Sequence, residues 1–121
     1  MIDHTGFQVT DIARSTEFYT KALAPLNYTM LVSFEIYRGF GETKPDFWIH
    51  QGAPTDKIDL CFRAASRTQV KAFHAAAIAA GGTDNGAPGV RPHYHEHYFG
   101  AFVRDPDGHN IEAVCHEPYL G

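Results

Sequence analysis

Residues 2–23 read IDHTGFQVTDIARSTEFYTKAL, and the hydrophobic period changes in the middle of them. Up to Val9 the chain alternates, with Phe7 and Val9 on one side and His4, Gly6 and Gln8 on the other, which is the period of a half-buried strand. Asp11 is suited to cap a helix, and after it Ile12, Phe18, Tyr19, Ala22, Leu23 and Leu26 form a helical stripe that Pro25 and Asn27 close. A strand therefore leads directly into a helix. Three short strand candidates follow, at residues 28–34, 36–40 and 46–50, divided by Gly, Glu, Lys and Pro. Residues 1–52 read as a βαβββ module.

The second half repeats this order. Residues 58–64 alternate, and Val70, Phe73, His74, Ala77 and Ile78 form a helical face ending at Gly81-Gly82. A displacement of 55 positions puts Phe62 on Phe7, Phe73 on Phe18, Ala77 on Ala22, Ala79 on Ala24, and Asp59 on His4. Aligning the final strand, 110–115, with 46–50 takes a displacement of 64, so the second module carries nine extra residues (64 − 55 = 9). They are assigned to 85–98, rich in Gly and Pro, and read as a loop over one end of a cleft. Residues 51–57, with Gly52 and Pro54, read as the linker, which places the second module at about 57–117. The expectation is an α+β fold in which two βαβββ modules form an open, curved mixed sheet, as one domain of 121 residues.

Composition narrows the function classes. A hydrophobic share of 44%, with nine Phe and six Tyr, suits a packed domain rather than a disordered segment. The net charge of −4 and scattered Lys and Arg argue against nucleic acid as a partner. No apolar run approaches membrane-spanning length and the N-terminus lacks signal-peptide order, so a cytoplasmic protein with no membrane partner is expected. Cys61 and Cys115 lie in apolar strand-like runs and are expected to pack as small hydrophobes.

The opening segment, with His at the start of the strand and Phe-Tyr in the helix, resembles the vicinal oxygen chelate superfamily, the glyoxalase, bleomycin-resistance and dioxygenase group. The closing segment YFGAFVRDPDGHNIEAV, residues 98–114, is similar to that superfamily's last hairpin, including the Asp-Pro-Asp-Gly turn and the Glu beyond it. With the internal repeat, the likeness covers nearly the whole chain. It implies a divalent metal held by four equivalent strand positions, and here those positions are His4, Trp48, Asp59 and Glu112. His4 and Glu112 match the usual ligands. Asp59 stands where His is common, and Trp48 (112 − 64 = 48) has no metal-binding atom.

Strand parity sets every one of these residues opposite the side chains that pack beneath the helices. His4, Asp59 and Glu112 are the candidate metal ligands, an imidazole and two carboxylates that would suit Zn, Mn, Fe, Ni or Co. Such an ion would polarise a substrate oxygen or lower the pKa of bound water. Against this, Arg63 lies on the same face and could neutralise either carboxylate without a cation. Trp48, His50, Arg63, His93 and His95 are the candidate substrate-binding residues. His50 reads either as a replacement ligand or as a hydrogen-bonded cleft histidine, and the histidines of residues 91–98 as a ligand-facing or solvated loop. Tyr37, Trp48 and Phe99 read as an aromatic wall or as core, and His74 as core packing. No general base is named by the sequence.

By resemblance the chain is a divalent-metal-dependent lyase or isomerase-type enzyme acting on a small oxygen-bearing molecule, in a homodimer, with lactoylglutathione lyase chemistry disfavoured by the reduced ligand set. The alternative is a metal-free binding protein of the bleomycin-resistance type that sequesters a drug or metabolite. Fold cannot decide between them.

Overall fold

Phe7 and Val9 turn inward on β1 (Thr5–Val9), and the chain passes at once into α1 (Ile12–Leu23). The computed structural model describes residues 1–116, so the last residue of the expected second module, 117, lies outside the described residues. Asp11 caps α1: its carboxylate accepts the Arg14 N–H at 3.1 Å, a donor with no partner inside the helix. The helix ends in a 3-10 turn over Ala24–Leu26, after which Asn27 takes a left-handed conformation at φ 64°. The first module is completed by β2 (Thr29–Phe34), β3 (Tyr37–Gly41) and β4 (Phe47–Gln51).

The second module repeats the sequence of elements as β5 (Asp59–Arg63), α2 (Arg67–Ala79), β6 (Thr83–Val90), β7 (Phe99–Arg104) and β8 (Asn110–Cys115). Ser66 caps α2 by accepting the Gln69 N–H at 3.2 Å. Each module forms a four-stranded mixed sheet of the same topology, β1-β4-β3-β2 and β5-β8-β7-β6. The strand before each helix, β1 or β5, runs parallel to its neighbour β4 or β8, and the remaining pairs are antiparallel. Residues 85–98, expected as loop, are divided: Asn85–Val90 continues β6, and 91–98 leaves the sheet. Register shifts at Asp84/Gly86 and Gly86/Gly89 take up extra residues as bulges, which a period-based reading cannot distinguish from a loop.

Phe18, Tyr19, Ala22 and Leu23 of α1 and Val70, Phe73 and Ala77 of α2 are fully buried, and the two helices pack on each other. Phe62 of β5 meets the rings of Phe47 and Tyr28 edge-on at 5.3 and 5.5 Å, which carries the core from one module into the other. The Asp105-Pro106-Asp107-Gly108 turn makes a second bridge. Asp105 accepts the Tyr19 hydroxyl, and Asp107 accepts both the backbone N–H and the hydroxyl of Thr10. Packing decides one open reading and alters another. Phe99 is buried, its ring 4.9 Å from the Arg67 guanidinium, and belongs to the core rather than to an open aromatic wall. His74 is half-buried, but its Nε2 lies 2.9 Å from Asp84 and ties α2 to β6. Among the described residues no helix is long and apolar enough to cross a membrane.

Candidate functional site

One face of each sheet is covered by the helices; the opposite, open face carries the polar residues. On the second sheet the strand register sets Asp59, Asn110 and Arg104 in one row across β5, β8 and β7, and Cys61, Glu112 and Phe102 in the next. Gly86 of β6 lies beside Phe102, and the segment leaving β6 brings Arg91 and Tyr94 to the same place. Together with Asn85 these residues line an open cleft of about 560 Å³, a volume within the usual range for small-molecule sites.

Glu112 is half-buried on the cleft floor. Its carboxylate accepts the Asn110 side-chain N–H at 3.0 Å and, more distantly, the Tyr98 hydroxyl at 3.3 Å. Asn85 donates to the Asn110 carbonyl oxygen at 2.9 Å, which fixes the orientation of that amide. Burial raises the Glu112 carboxyl above its ordinary pKa, and the Asp59 charge adds to the rise, while the two hydrogen bonds oppose it. A carboxyl raised in the folded state contributes stability that is complete below its unfolded pKa and is lost as pH rises through the folded value. Glu112→Gln is therefore expected to raise the melting temperature at about pH 8, with the gain shrinking toward zero near about pH 4. A gain that persists in acid, or a loss at the higher pH, would contradict this account; paired thermal melts decide.

Cys61 is exposed on β5 rather than packed as a small hydrophobe, and local desolvation, followed by the Glu112 charge, pushes its thiol up to about 12, so the thiol is protonated at neutral pH. The Tyr98 hydroxyl is raised by burial and by the same two neighbours, and serves as a donor. On the other side of the cleft, Arg91 donates to the Ala87 carbonyl at 2.7 Å and lies over the Phe102 ring at 5.2 Å. Arg104 donates to the Gly108 carbonyl at 3.3 Å. Among the described residues neither guanidinium is in an ion pair.

His4 is elsewhere. With Thr5, Gly6, Tyr37, Trp48 and His50 it lines a hollow of about 320 Å³ on the open face of the first sheet, and its Nδ1 lies 2.7 Å from Asp3. Trp48 lies over Gly39, where an added Cβ would stand 2.9 Å from the indole ring. Thus Asp59 and Glu112 share one cleft, while His4, Trp48 and His50 share another. Among the described residues no three His, Cys, Asp or Glu side chains are gathered as a cation site. Arg63 joins neither hollow: it lines a depression with Leu26, Asn27 and Glu42.

The loop histidines hold one another. The His93 ring packs on Tyr94 at 4.3 Å. His97 N–H donates to His95 Nδ1 at 3.1 Å, so neutral His95 carries its proton on Nε2 and donates to His116 Nδ1 at 2.7 Å. Tyr98 stands edge-on to both rings, and the stack fastens the 91–98 segment to the end of β8.

Asn110, Phe102 and Arg104 were not singled out from the sequence, although a signal was present. A hairpin closing at 105–109 pairs residues whose numbers sum to 214, which sets Phe102 beside Glu112 and Arg104 beside Asn110. Asn85, Arg91 and Tyr94 had no register signal, but all three fall in residues 85–98, expected over one end of a cleft.

Paired βαβββ modules with a polar open face and the closing Asp-Pro-Asp-Gly hairpin define a class of small α+β proteins. The chain belongs to the Glyoxalase/Bleomycin resistance protein/Dioxygenase superfamily, whose family model matches residues 1–113. A glyoxalase/bleomycin resistance protein from Albidiferax ferrireducens is similar at 31% identity with a TM-score of 0.83, covering 96% of this chain and 98% of that one. Fosfomycin resistance protein FosX from Mesorhizobium loti (16% identity, TM-score 0.71, 95% and 91% covered) shares the fold. So does a lactoylglutathione lyase from Agrobacterium tumefaciens (15% identity, TM-score 0.72, 95% and 92% covered). No curated protein matches the chain.

Proposed function

We propose that the chain binds a small polar molecule in the cleft of its second module without needing a metal ion, in the manner of a bleomycin-resistance-type binding protein. The observation that carries this reading is the placement of Asp59, Glu112, Arg91 and Arg104 around one open cleft, the two guanidinium groups having no acidic partner there. Unpaired charges facing an accessible hollow are ready to receive a ligand's charges. The donor set of a single chain does not fit a metal: Glu112 already accepts from Tyr98 and Asn110, His4 lies in the other hollow, and Trp48 offers no donor atom. No catalytic step is assigned.

A second reading, the metal-dependent lyase or isomerase, keeps one specific observation in its favour. Met30, Leu31, Phe34, Ile36 and Tyr37 expose apolar surface around the outer strand β2 and the β2–β3 turn of the first module. In a homodimer that paired the first-module hollow of one copy with the second-module cleft of the other, His4 would join Asp59 and Glu112. The two readings separate by elemental analysis of protein purified without added metal, alongside His4→Ala, followed by divalent-metal titration. Binding without a metal predicts no stoichiometric uptake by either protein, and no turnover of methylglyoxal with glutathione. Near-stoichiometric metal that His4→Ala loses would overturn it in favour of the enzyme.

A further inference from the structure

The charges of the second-module cleft are sorted by strand. Asp59 stands on β5 and Glu112 on β8; Arg104 stands on β7, and Arg91 follows β6. Because the sheet order is β5-β8-β7-β6, the acids lie to one side of the cleft and the guanidiniums to the other. Asp59, Asn110 and Arg104 are in direct register, so the gradient from acid through amide to base runs straight across the strands. Two strand spacings, roughly 10 Å, separate the backbones that carry Asp59 and Arg104. Both side chains reach over the cleft, and among the described residues neither is in an ion pair.

Resting on the reading that this cleft is a binding site, we infer that its ligand is a small zwitterion: an ammonium received by Asp59, with the Glu112 charge beside it, and a carboxylate received by Arg104 and Arg91. A lone anion would meet the two guanidiniums but bring its charge toward two carboxylates, and a lone cation would have the reverse difficulty. A molecule carrying both charges satisfies both sides. The backbone spacing sets an upper scale for the ligand's charge separation, and a flexible six-bond chain, roughly 7 Å when extended, can fold to meet a shorter span. Phe102, lying in the row beside Glu112 with the Arg91 guanidinium over its ring, offers the connecting methylenes an apolar floor. Asn85 donates to Asn110, and Asn110 in turn donates to Glu112, so the two amides hold the floor rigid and leave Asp59 as the open acceptor.

The test uses the full chain and matched probes of one length: 6-aminohexanoate, hexanoate, hexylamine and 1,6-hexanediol. Each is titrated in turn while the backbone amide NMR signals of Phe102, Arg104, Asn110 and Glu112 are followed. The expected result is that 6-aminohexanoate shifts these signals with a Kd at least about tenfold below that of either singly charged probe, roughly the effect of one charge-assisted hydrogen bond. The advantage should diminish with added salt. Asp59→Asn should bring 6-aminohexanoate down to the level of hexanoate, and Arg104→Gln down to that of hexylamine. Both positions are exposed, so neither change threatens the fold. If hexanoate, hexylamine or hexanediol binds there as well as the zwitterion, the ligand class is wrong and the cleft stands as a binding site. If none of the four probes shifts those amides, both the class and the site fall.

Discussion

Asp105→Ala is expected to destabilise the protein by about 3 kcal/mol, since each buried donor left without an acceptor costs roughly 1–3 kcal/mol. Asp105 is 4% exposed and serves three donors: the hydroxyl of fully buried Tyr19, and the backbone N–H groups of Asp107 and His109, both at 2.9 Å. Water can reach the turn amides once the carboxylate is gone, but it cannot reach the Tyr19 hydroxyl without opening the core. Against a total stability of roughly 5–15 kcal/mol the loss is large, and for a chain of 121 residues it corresponds to a drop in Tm on the order of 10 °C. Tyr19→Phe should cost less, because the carboxylate keeps its two backbone donors. The double variant should cost less than the sum of the two, since both remove the same bond. Asp105→Asn keeps an acceptor for the two amides and should be the mildest. Burial raises the Asp105 carboxyl above its usual pKa, so its ionised form lowers native stability as pH rises, and the deficit of the Asn variant should narrow toward alkaline pH. Thermal melts of the parent and the four variants across pH check this; additive effects of Tyr19→Phe and Asp105→Ala would remove the shared bond from the account.

The same turn explains why the fold was readable from the chain. Asp105-Pro106-Asp107-Gly108 is a strong local turn signal, and Gly108 adopts φ 89° as its position requires. Its side chains also reach Tyr19 and Thr10 on the first module, so one motif closes a hairpin and joins two modules. The helix cap Asp11 and the alternation in β1 are likewise local features, decided by residues a few positions apart. Where local order failed, as in residues 85–90, the element exists because β7 pairs with it, and no period within the segment announces that partner.

The site was legible in a different proportion. Parity assigned His4, Asp59 and Glu112 to open faces, but parity within a strand carries no information about which open face lies beside which. The two sheets are joined through helix contacts and the Phe47–Phe62 and Tyr19–Asp105 links, and this arrangement leaves His4 in one hollow and the two carboxylates in another. Arg63 illustrates the same gap. It shares the face of Asp59 and Cys61, yet it stands at the far end of β5 beside Glu42 and lines a depression of its own. Of the groups with the most to say about a ligand, Arg104 became visible only when the register across three strands was known, while Arg91 lies in the 85–98 segment expected over one end of a cleft.

Gly41→Ala is expected to cost about 2–3 kcal/mol, the upper part of the range for forcing an extra carbon into packed structure. Gly41 is buried at the end of β3, and a Cβ there would stand 1.9 Å from the Lys44 carbonyl oxygen and 3.2 Å from the Pro45 Cα. All of these are backbone atoms, so no rotamer change relieves the clash, and the turn over residues 42–45 has to move. That turn is held by the Asp46 N–H bond to the Phe40 carbonyl at 3.0 Å, and Lys44 reaches from it to Asp3 at 3.1 Å, beside His4. Lys44→Ala separates displacement from charge: it removes an exposed ion pair and should change stability by less than about 1 kcal/mol. A Tm for Gly41→Ala within about 2 °C of the parent, where a drop on the order of 10 °C is expected, would show that the turn yields without resistance. The displaced turn lies next to the first-module hollow and shares no residue with the second-module cleft. At temperatures where Gly41→Ala remains folded, it should therefore perturb the NMR signals of His4 and Trp48 while 6-aminohexanoate binding stays at the parent level. A weakening of that binding in step with the stability loss would mean that the two hollows answer to one another, and that ligand recognition depends on both modules.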